Sequence, residues 1–328
     1  MAILVTGGAG YIGSHTSAEL IRRGEDVIVV DNLRTGHRSA VKGVRFYEGD
    51  LMDRDFLDDV FRTNTIEAVI HFAASSLVGE SVNKPLDYYQ NNLVASHSLV
   101  SAMLEHGVKK IVFSSTAATY GEPENIPIRE EDSNFPTNPY GETKLAMEKM
   151  FRWCDGAHGL KSVSLRYFNA AGAHPDGTIG EDHNPETHLI PIILQVALGQ
   201  RESIGIFGSD YPTEDGTCIR DYIHVMDLAN AHWLALEHLR KHEQSEVFNL
   251  GNGKGFSVKE VIETARKVTG HSIPETLTPR RAGDPAILIA SSEKAREVLG
   301  WKPQHNELET IIETAWKWHQ ANPQGYKD

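Results

Sequence analysis

Residues 2 to 6, Ala-Ile-Leu-Val-Thr, form a short apolar run that stops at glycines, and Tyr11 to Arg23 then reads as a helix. Strand, tight turn and helix in that order open a βαβ unit. The turn carries Gly7, Gly8, Gly10 and Gly13, and fits both G-x-x-G-x-x-G from Gly7 and G-x-G-x-x-G from Gly8. Glycines there let the chain turn sharply, let a pyrophosphate approach the backbone and let the helix lie close on the sheet. The N–H groups at the helix N-terminus then face the phosphates. A second strand-like run, Asp26 to Val30, ends at Asp31, where a carboxylate meets the hydroxyls of an adenosine ribose. An acid there disfavours the extra phosphate of NADP and points to NAD. Arg34, three residues on, offsets part of that preference.

Further strand-like runs at Val44 to Tyr47, Ala68 to Phe72, Lys110 to Ser114 and Ser162 to Leu165 alternate with helical stretches such as Asp53 to Arg62 and Tyr88 to His106. This rhythm predicts an α/β fold, a Rossmann-type doubly wound parallel sheet. Ligands on such sheets sit beyond the carboxyl ends of the strands, which here carry Gly7, Asp31, Asp50-Leu51, Phe72-Ala73-Ala74 and Ser114-Ser115-Thr116. Other classes fall away. A net charge of -13 argues against a nucleic-acid surface. No run of about 18 apolar residues suggests a membrane span, and the N-terminus lacks the basic and apolar regions of a signal segment. Cys154 and Cys218 form no C-x-x-C pair and cannot build a disulfide framework. A cytoplasmic location is the simplest expectation.

One turn of helix carries chemistry. Tyr140 and Lys144 in Pro-Tyr-Gly-Glu-Thr-Lys are four residues apart, so a phenol and an ammonium share one helix face. A free tyrosine, with a pKa of about 10, is a poor base at neutral pH. A nearby cation favours the phenolate, so Lys144 is expected to lower the pKa of Tyr140 and make it an acid/base.

With these motifs the chain resembles the extended short-chain dehydrogenase/reductases, and within them the UDP-glucose 4-epimerase family. The resemblance runs from Thr-Gly-Gly-Ala-Gly-Tyr-Ile-Gly at residue 6 through Tyr140-Gly141-Glu142-Thr143-Lys144, Leu165-Arg166-Tyr167-Phe168-Asn169 and Arg220-Asp221-Tyr222 to Arg280-Arg281-Ala282-Gly283-Asp284. The stretch Asp210-Tyr211-Pro212-Thr213-Glu214-Asp215-Gly216-Thr217 is the most particular to that family. The resemblance implies bound NAD, with UDP-glucose and UDP-galactose as substrates. Tyr140 would remove the proton of the sugar 4-hydroxyl, Lys144 would also reach the nicotinamide ribose, and Thr116 would hydrogen-bond the reacting oxygen. Gly7, Gly10, Tyr11, Ile12, Gly13, Asp31, Asn32, Asp50, Leu51, Phe72, Ala73, Ala74, Asn91, Ser114 and Phe168 would join Tyr140 and Lys144 around the cofactor. The UDP-sugar would meet Asn169, His188, Leu189, Ile206, Phe207, Arg220, Arg281 and Asp284 as well as Thr116 and Tyr140. Arginine suits the pyrophosphate because its planar fork pairs with phosphate oxygens. Ala117-Ala118 follow Thr116 where dehydratases commonly carry Asp-Glu, and two methyl groups cannot transfer protons. Pairing of two long helices, Tyr88 to His106 and Tyr140 to Asp155, into a homodimer is implied as well.

After Asn169-Ala170-Ala171-Gly172 the βαβ rhythm breaks into a loop, His174 to Thr187. The boundary expected there separates an NAD-binding Rossmann domain, 1–173, from a smaller mixed α/β UDP-sugar-binding domain, 174–328. The segment from about 218 to 250 is expected to pack back on the first. An amphipathic helix is expected from Glu307 to about Gln320. His174, His183 and His188 lie on or beside the loop, but no H-E-x-x-H or paired Cys/His spacing accompanies them, so no metal site is expected. His188 stands where some family members have Asn, and Ser76 where some have a Lys near the cofactor phosphates. Leu288 falls where residue size bears on acceptance of N-acetyl sugars. Epimerases of UDP-N-acetylhexosamines, UDP-uronates or UDP-pentoses are the alternative.

Overall fold

The computed structural model describes residues 1–281 and 285–328. The alternating apolar runs become seven strands: β1 (Ala2–Thr6), β2 (Val27–Asp31), β3 (Arg45–Glu48), β4 (Ile66–His71), β5 (Lys110–Ser114), β6 (Lys161–Tyr167) and β7 (Glu246–Leu250). They form one parallel sheet in the order β7-β6-β5-β4-β1-β2-β3. Neighbouring side chains on a strand point to opposite faces, so a strand covered on both sides must be apolar throughout. All five residues of β1 are buried, as are all five of β2. Ile3, Val5 and Val29 face a core completed by Leu228, Leu236 and Leu239 of helix Val225–His242. Leu4, Ile28 and Val30 face the other core, with Leu99, Met103, Met147 and Phe151 from helices Ala95–Glu105 and Pro139–His158.

The strand order reverses between β1 and β4. At such a point the connections leave in opposite directions and open a crevice beyond the carboxyl ends. Gly7, Asp31, Phe72 and Ser115 therefore converge: the Gly7 N–H donates to Val30 O, and Phe72 N–H to Thr6 O, both at 2.8 Å. The helical path over 88–106 is continuous, but its first part, Tyr89–Val94, is wound as a π-helix and carries Asn91 and Asn92.

The second half is mixed. Helix Val225–His242 runs along the sheet and leads into β7. Short strands pair elsewhere: Asn169–Ala171 with Tyr222–His224, Ile204–Phe207 with Glu275–Thr278, and Ile219–Arg220 between Phe256–Ser257 and Ile287–Leu288. A third core of Ile193, Leu194, Ile262, Ile311 and Ile312 joins helices Leu189–Ala197, Val258–Thr269 and Leu308–Ala321. Among the described residues no helix is long and apolar enough to cross a membrane.

Candidate active site

The glycine turn has no room for side chains where it is tightest. Gly7 has φ +70°, and a Cβ on it would lie 2.5 Å from Ala73 N; one on Gly13 would lie 2.2 Å from Gly7 O. Gly10 differs, since a Cβ there would meet only Gly7 O, at 3.4 Å. Gly10 also caps helix Tyr11–Arg22 without a side-chain hydrogen bond, so no side chain competes for the N–H groups of the first turn. An open, uncapped helix N-terminus at a sheet switch point fits a dinucleotide pyrophosphate. At the tip of β2, Asp31 is oriented by two backbone donors: Ala9 N–H to Oδ2 and Leu33 N–H to Oδ1, each at 2.9 Å. Asn32 donates to Asp50 Oδ2 (3.1 Å), and Leu51 is buried beside them. Tyr11 turns away from the phosphate position: its hydroxyl donates to Gly172 O at 2.6 Å, tying the turn to the second half. Ile12, half-buried, packs against the sheet core together with Phe72.

The catalytic turn is placed by its caps and by one glycine. Asn138 accepts the Gly141 N–H at 2.9 Å, and Pro139 occupies the first helical position, so helix Pro139–His158 begins where the sequence signals it. A Cβ on Gly141 would lie 2.5 Å from Ala118 O. The helix can therefore lie directly on the Ala117–Thr119 turn, which Thr116 caps by accepting the Ala118 N–H (3.1 Å). This contact sets Tyr140 beside Thr116.

The electrostatics depart from the expectation. Lys144 is buried, donates to Ser114 O at 2.7 Å and lies 5.9 Å from the Tyr140 ring centroid and 4.8 Å from that of Phe113. Burial pulls its pKa down to about 7, against the upward pull of Glu148. Burial pushes the Tyr140 phenol above its ordinary value, and only its hydrogen bond with Thr116 works the other way. Within the protein, then, Lys144 is not among the groups that lower Tyr140: burial dominates at the phenol, and the ammonium donates to Ser114 O instead. The other atoms of Ser114 are also engaged: its hydroxyl pairs with Tyr167.

Several residues around this turn carry no motif. Asn92 accepts from Ser75 N (2.8 Å) and donates to Thr143 Oγ1 (3.1 Å), fastening the loop after β4 to the catalytic helix. Its neighbour Asn91, expected at the cofactor, is half-buried and donates to Ser75 Oγ. Below Lys144, Glu148 accepts from Ser115 Oγ and from Arg166 Nε at 3.0 Å and Nη2 at 2.5 Å. Burial opposes the charge of Arg166, and Glu148 more than restores it, raising the arginine pKa. The signal for Glu148 was present, since Tyr140, Lys144 and Glu148 repeat every four residues.

The second-half residues are only partly gathered. Asn169 donates through Nδ2 to Asp221 O (3.1 Å). Arg220 lies on strand Ile219–Arg220, in a different sheet, and donates to Ile219 O (2.8 Å). The Arg281 guanidinium stacks on Phe207 at 3.9 Å. Ile206 corrects an expectation: its side chain is in the third core, because alternation along the strand turns Phe207 outward instead, which leaves only its backbone for a ligand. Asp284 lies outside the described residues. Leu189 opens helix Leu189–Ala197, and His188 caps it on the partly exposed side. Burial disfavours charge on His188, but Glu181 raises its pKa to about 10. Phe168 and Leu288 pack with Ala117, Tyr120 and Ile128, next to the catalytic turn.

Fold and site together define a dinucleotide-binding α/β protein with a tyrosine, lysine and threonine at the mouth of its crevice. Residues 3–251 match the NAD dependent epimerase/dehydratase family. A UDP-glucose 4-epimerase of Halalkalibacterium halodurans is 68% identical over 326 residues, 99% of this chain and 98% of that protein. A crystal structure of a UDP-glucose 4-epimerase superposes with a TM-score of 0.99 at 58% identity, covering 100% of both chains. The Bifidobacterium longum UDP-glucose 4-epimerase in complex with NAD+ and UDP gives 0.95 at 43%, covering 99% of this chain and 100% of that one. The chain belongs to the NAD dependent epimerase/dehydratase family.

Proposed function

We infer that the protein is an NAD-dependent UDP-glucose 4-epimerase that interconverts UDP-glucose and UDP-galactose. The observation that carries the chemistry is the seating of Gly141 on Ala118, which brings Tyr140 and Thr116 together over the crevice where the glycine turn opens. NAD held at that turn supplies a hydride acceptor for C4 of the sugar and a positive charge at the nicotinamide. With the nicotinamide charge beside it, Tyr140 would act as the phenolate, taking the proton from the 4-hydroxyl and later returning it to the 4-keto oxygen. Thr116 donates to that oxygen, and Lys144 holds positive charge beneath the phenol. The 4-keto sugar would turn over between the two steps and take the hydride back on its opposite face, which inverts C4 with no net redox change. Ala117 and Ala118 add no second acid/base, which keeps the chemistry at C4.

Asn169, His188, Leu189, Phe207, Arg220, Arg281 and Asp284 are the proposed contacts of the uridine diphosphate. The division into a Rossmann half, 1–173 with 218–250, and a UDP-sugar half is part of the same proposal. A homodimer is supported by apolar side chains left in water on the expected helices: Trp153 is 72% exposed, with Tyr89 and Val94 also exposed, and Leu86, just before the first helix, is 81% exposed. The cytoplasm is the proposed location. Leu288, packed beside Ala117, supports a sugar pocket of intermediate width, and UDP-N-acetylgalactosamine is the second substrate to try. The test is to supply UDP-galactose and follow UDP-glucose. An equilibrium mixture of the two without added reductant is expected. No conversion, with NAD+ supplied, would overturn the glucose/galactose assignment.

A further inference from the structure

The loop between the two halves brings Glu181, His183, Glu186 and His188 to one point. One ligating atom from each lies within 4.8 Å of every other. We propose that these four side chains form a binding site for one divalent transition-metal ion of the zinc class, held by two imidazoles and two carboxylates. At Zn–N and Zn–O bonds of about 2.0–2.2 Å, tetrahedral ligands stand about 3.3–3.6 Å apart. Here Glu181 Oε1 is 2.6 Å from His188 Nδ1 and 3.1 Å from His183 Nδ1, while Glu186 reaches His188 Nδ1 through Oε1 (3.4 Å) and His183 Nδ1 through Oε2 (3.8 Å). The four separations straddle that edge.

Two further observations favour an ion over an ordinary ion-pair cluster. His188 Nδ1 is buried and faces both carboxylates, 2.6 Å from Glu181 Oε1 and 3.4 Å from Glu186 Oε1. Both carboxylates are buried, with 4% side-chain exposure, where two negative charges require compensation. One divalent ion bound to neutral imidazoles gives the same net charge as two imidazolium protons, so the site can exchange one for the other without leaving charge unpaired.

The ligands are already held from behind. Glu186 Oε1 accepts the N–H groups of Thr187 (2.7 Å) and His188 (2.8 Å), and Glu181 O accepts Trp318 Nε1 at 3.2 Å. The same loop reaches His15 through Ile179 O and His37 through Asp182 O, each at 3.2 Å. An ion here would staple the loop that runs from the glycine-turn helix to Leu189.

Cobalt(II) is the probe. The full-length protein, with its cofactor retained, is cleared of metal with a chelator and titrated with Co2+. A saturable one-to-one complex with the intense visible bands of tetrahedral cobalt is expected, displaced by one equivalent of Zn2+. His183→Ala and Glu186→Gln should each weaken binding by more than about 100-fold while keeping the circular dichroism spectrum and cofactor content. Weak octahedral bands, or intense bands retained by both variants, would overturn the site. X-ray absorption of the unaltered zinc-loaded protein decides independently of any substitution. Two imidazoles with carboxylate oxygens support the site, and a shell without imidazole overturns it.

Discussion

Lys144 and Glu148 are successive residues on one face of helix Pro139–His158, and both are buried, yet their charges are treated in opposite ways. Lys144 faces a neutral carbonyl, Ser114 O, and burial brings its pKa to about 7. Glu148 meets the guanidinium of Arg166 through two hydrogen bonds and accepts a third from Ser115. At Lys144, one turn below the phenol that must move a proton, the charge is only partly compensated, by Glu148. One turn lower, charge is compensated and acts as scaffold. A buried pair stabilises only while both members are present, whereas a buried unpaired charge is a standing cost that function retains.

Substitutions at the two ends should therefore separate activity from stability. Tyr140→Phe removes the acid/base and should lower kcat by about 10²–10⁴-fold, measured as UDP-galactose conversion, with the thermal midpoint unchanged. Glu148→Gln leaves the Arg166 charge buried without its partner. It should cost about 3–5 kcal/mol in denaturant unfolding, and adding Arg166→Met should recover most of that loss. Recovery by the double variant is the sharper result, because it separates an unpaired charge from lost packing.

Lys144→Met should slow conversion but stabilise the fold. The pKa of Lys144 falls from its ordinary value of about 10.4 to about 7 on folding, so between those pH values the unfolded chain binds the extra proton. Stability contributed at this residue rises with pH across that window, and its cost is fullest below pH 7. The variant should gain roughly 2–4 °C in Tm at pH 6, with the gain shrinking toward pH 10. Asn138→Ala removes the cap that accepts the Gly141 N–H and should cost about 1 kcal/mol, with a small loss of kcat as Tyr140 loosens against Thr116.

The same contrast explains what the sequence made legible. The glycine turn, Asp31 and the strand ends were readable because backbone geometry imposes them: a Cβ at Gly7 or Gly13 collides with backbone atoms, so the residue type itself reports the turn. Tyr140 and Lys144 were readable as a pair, because helix periodicity puts them on one face. Their electrostatics were not, because desolvation depends on Ser114, Phe113 and Thr116, which come from another strand and its following turn. The Glu148–Arg166 pair joins residues eighteen apart on a helix and on β6, and nothing in local pattern links them. For Ile206 the motif carried no orientation, since its strand's alternation turns Phe207 outward and leaves Ile206 only its backbone for a ligand. The four loop residues from Glu181 to His188 fit no helical or paired-cysteine spacing, and only the folded loop shows their convergence.

By burial alone the protein holds Tyr140 as a neutral phenol. The direct measurement is a phenolate absorbance titration of the cofactor-free protein, taken as the difference between wild type and Tyr140→Phe. Ionisation of Tyr140 above pH 10 is predicted, since burial raises its pKa and Lys144 does not offset it. A phenolate appearing near neutral pH would contradict the account and show that Lys144 alone suffices to activate the tyrosine.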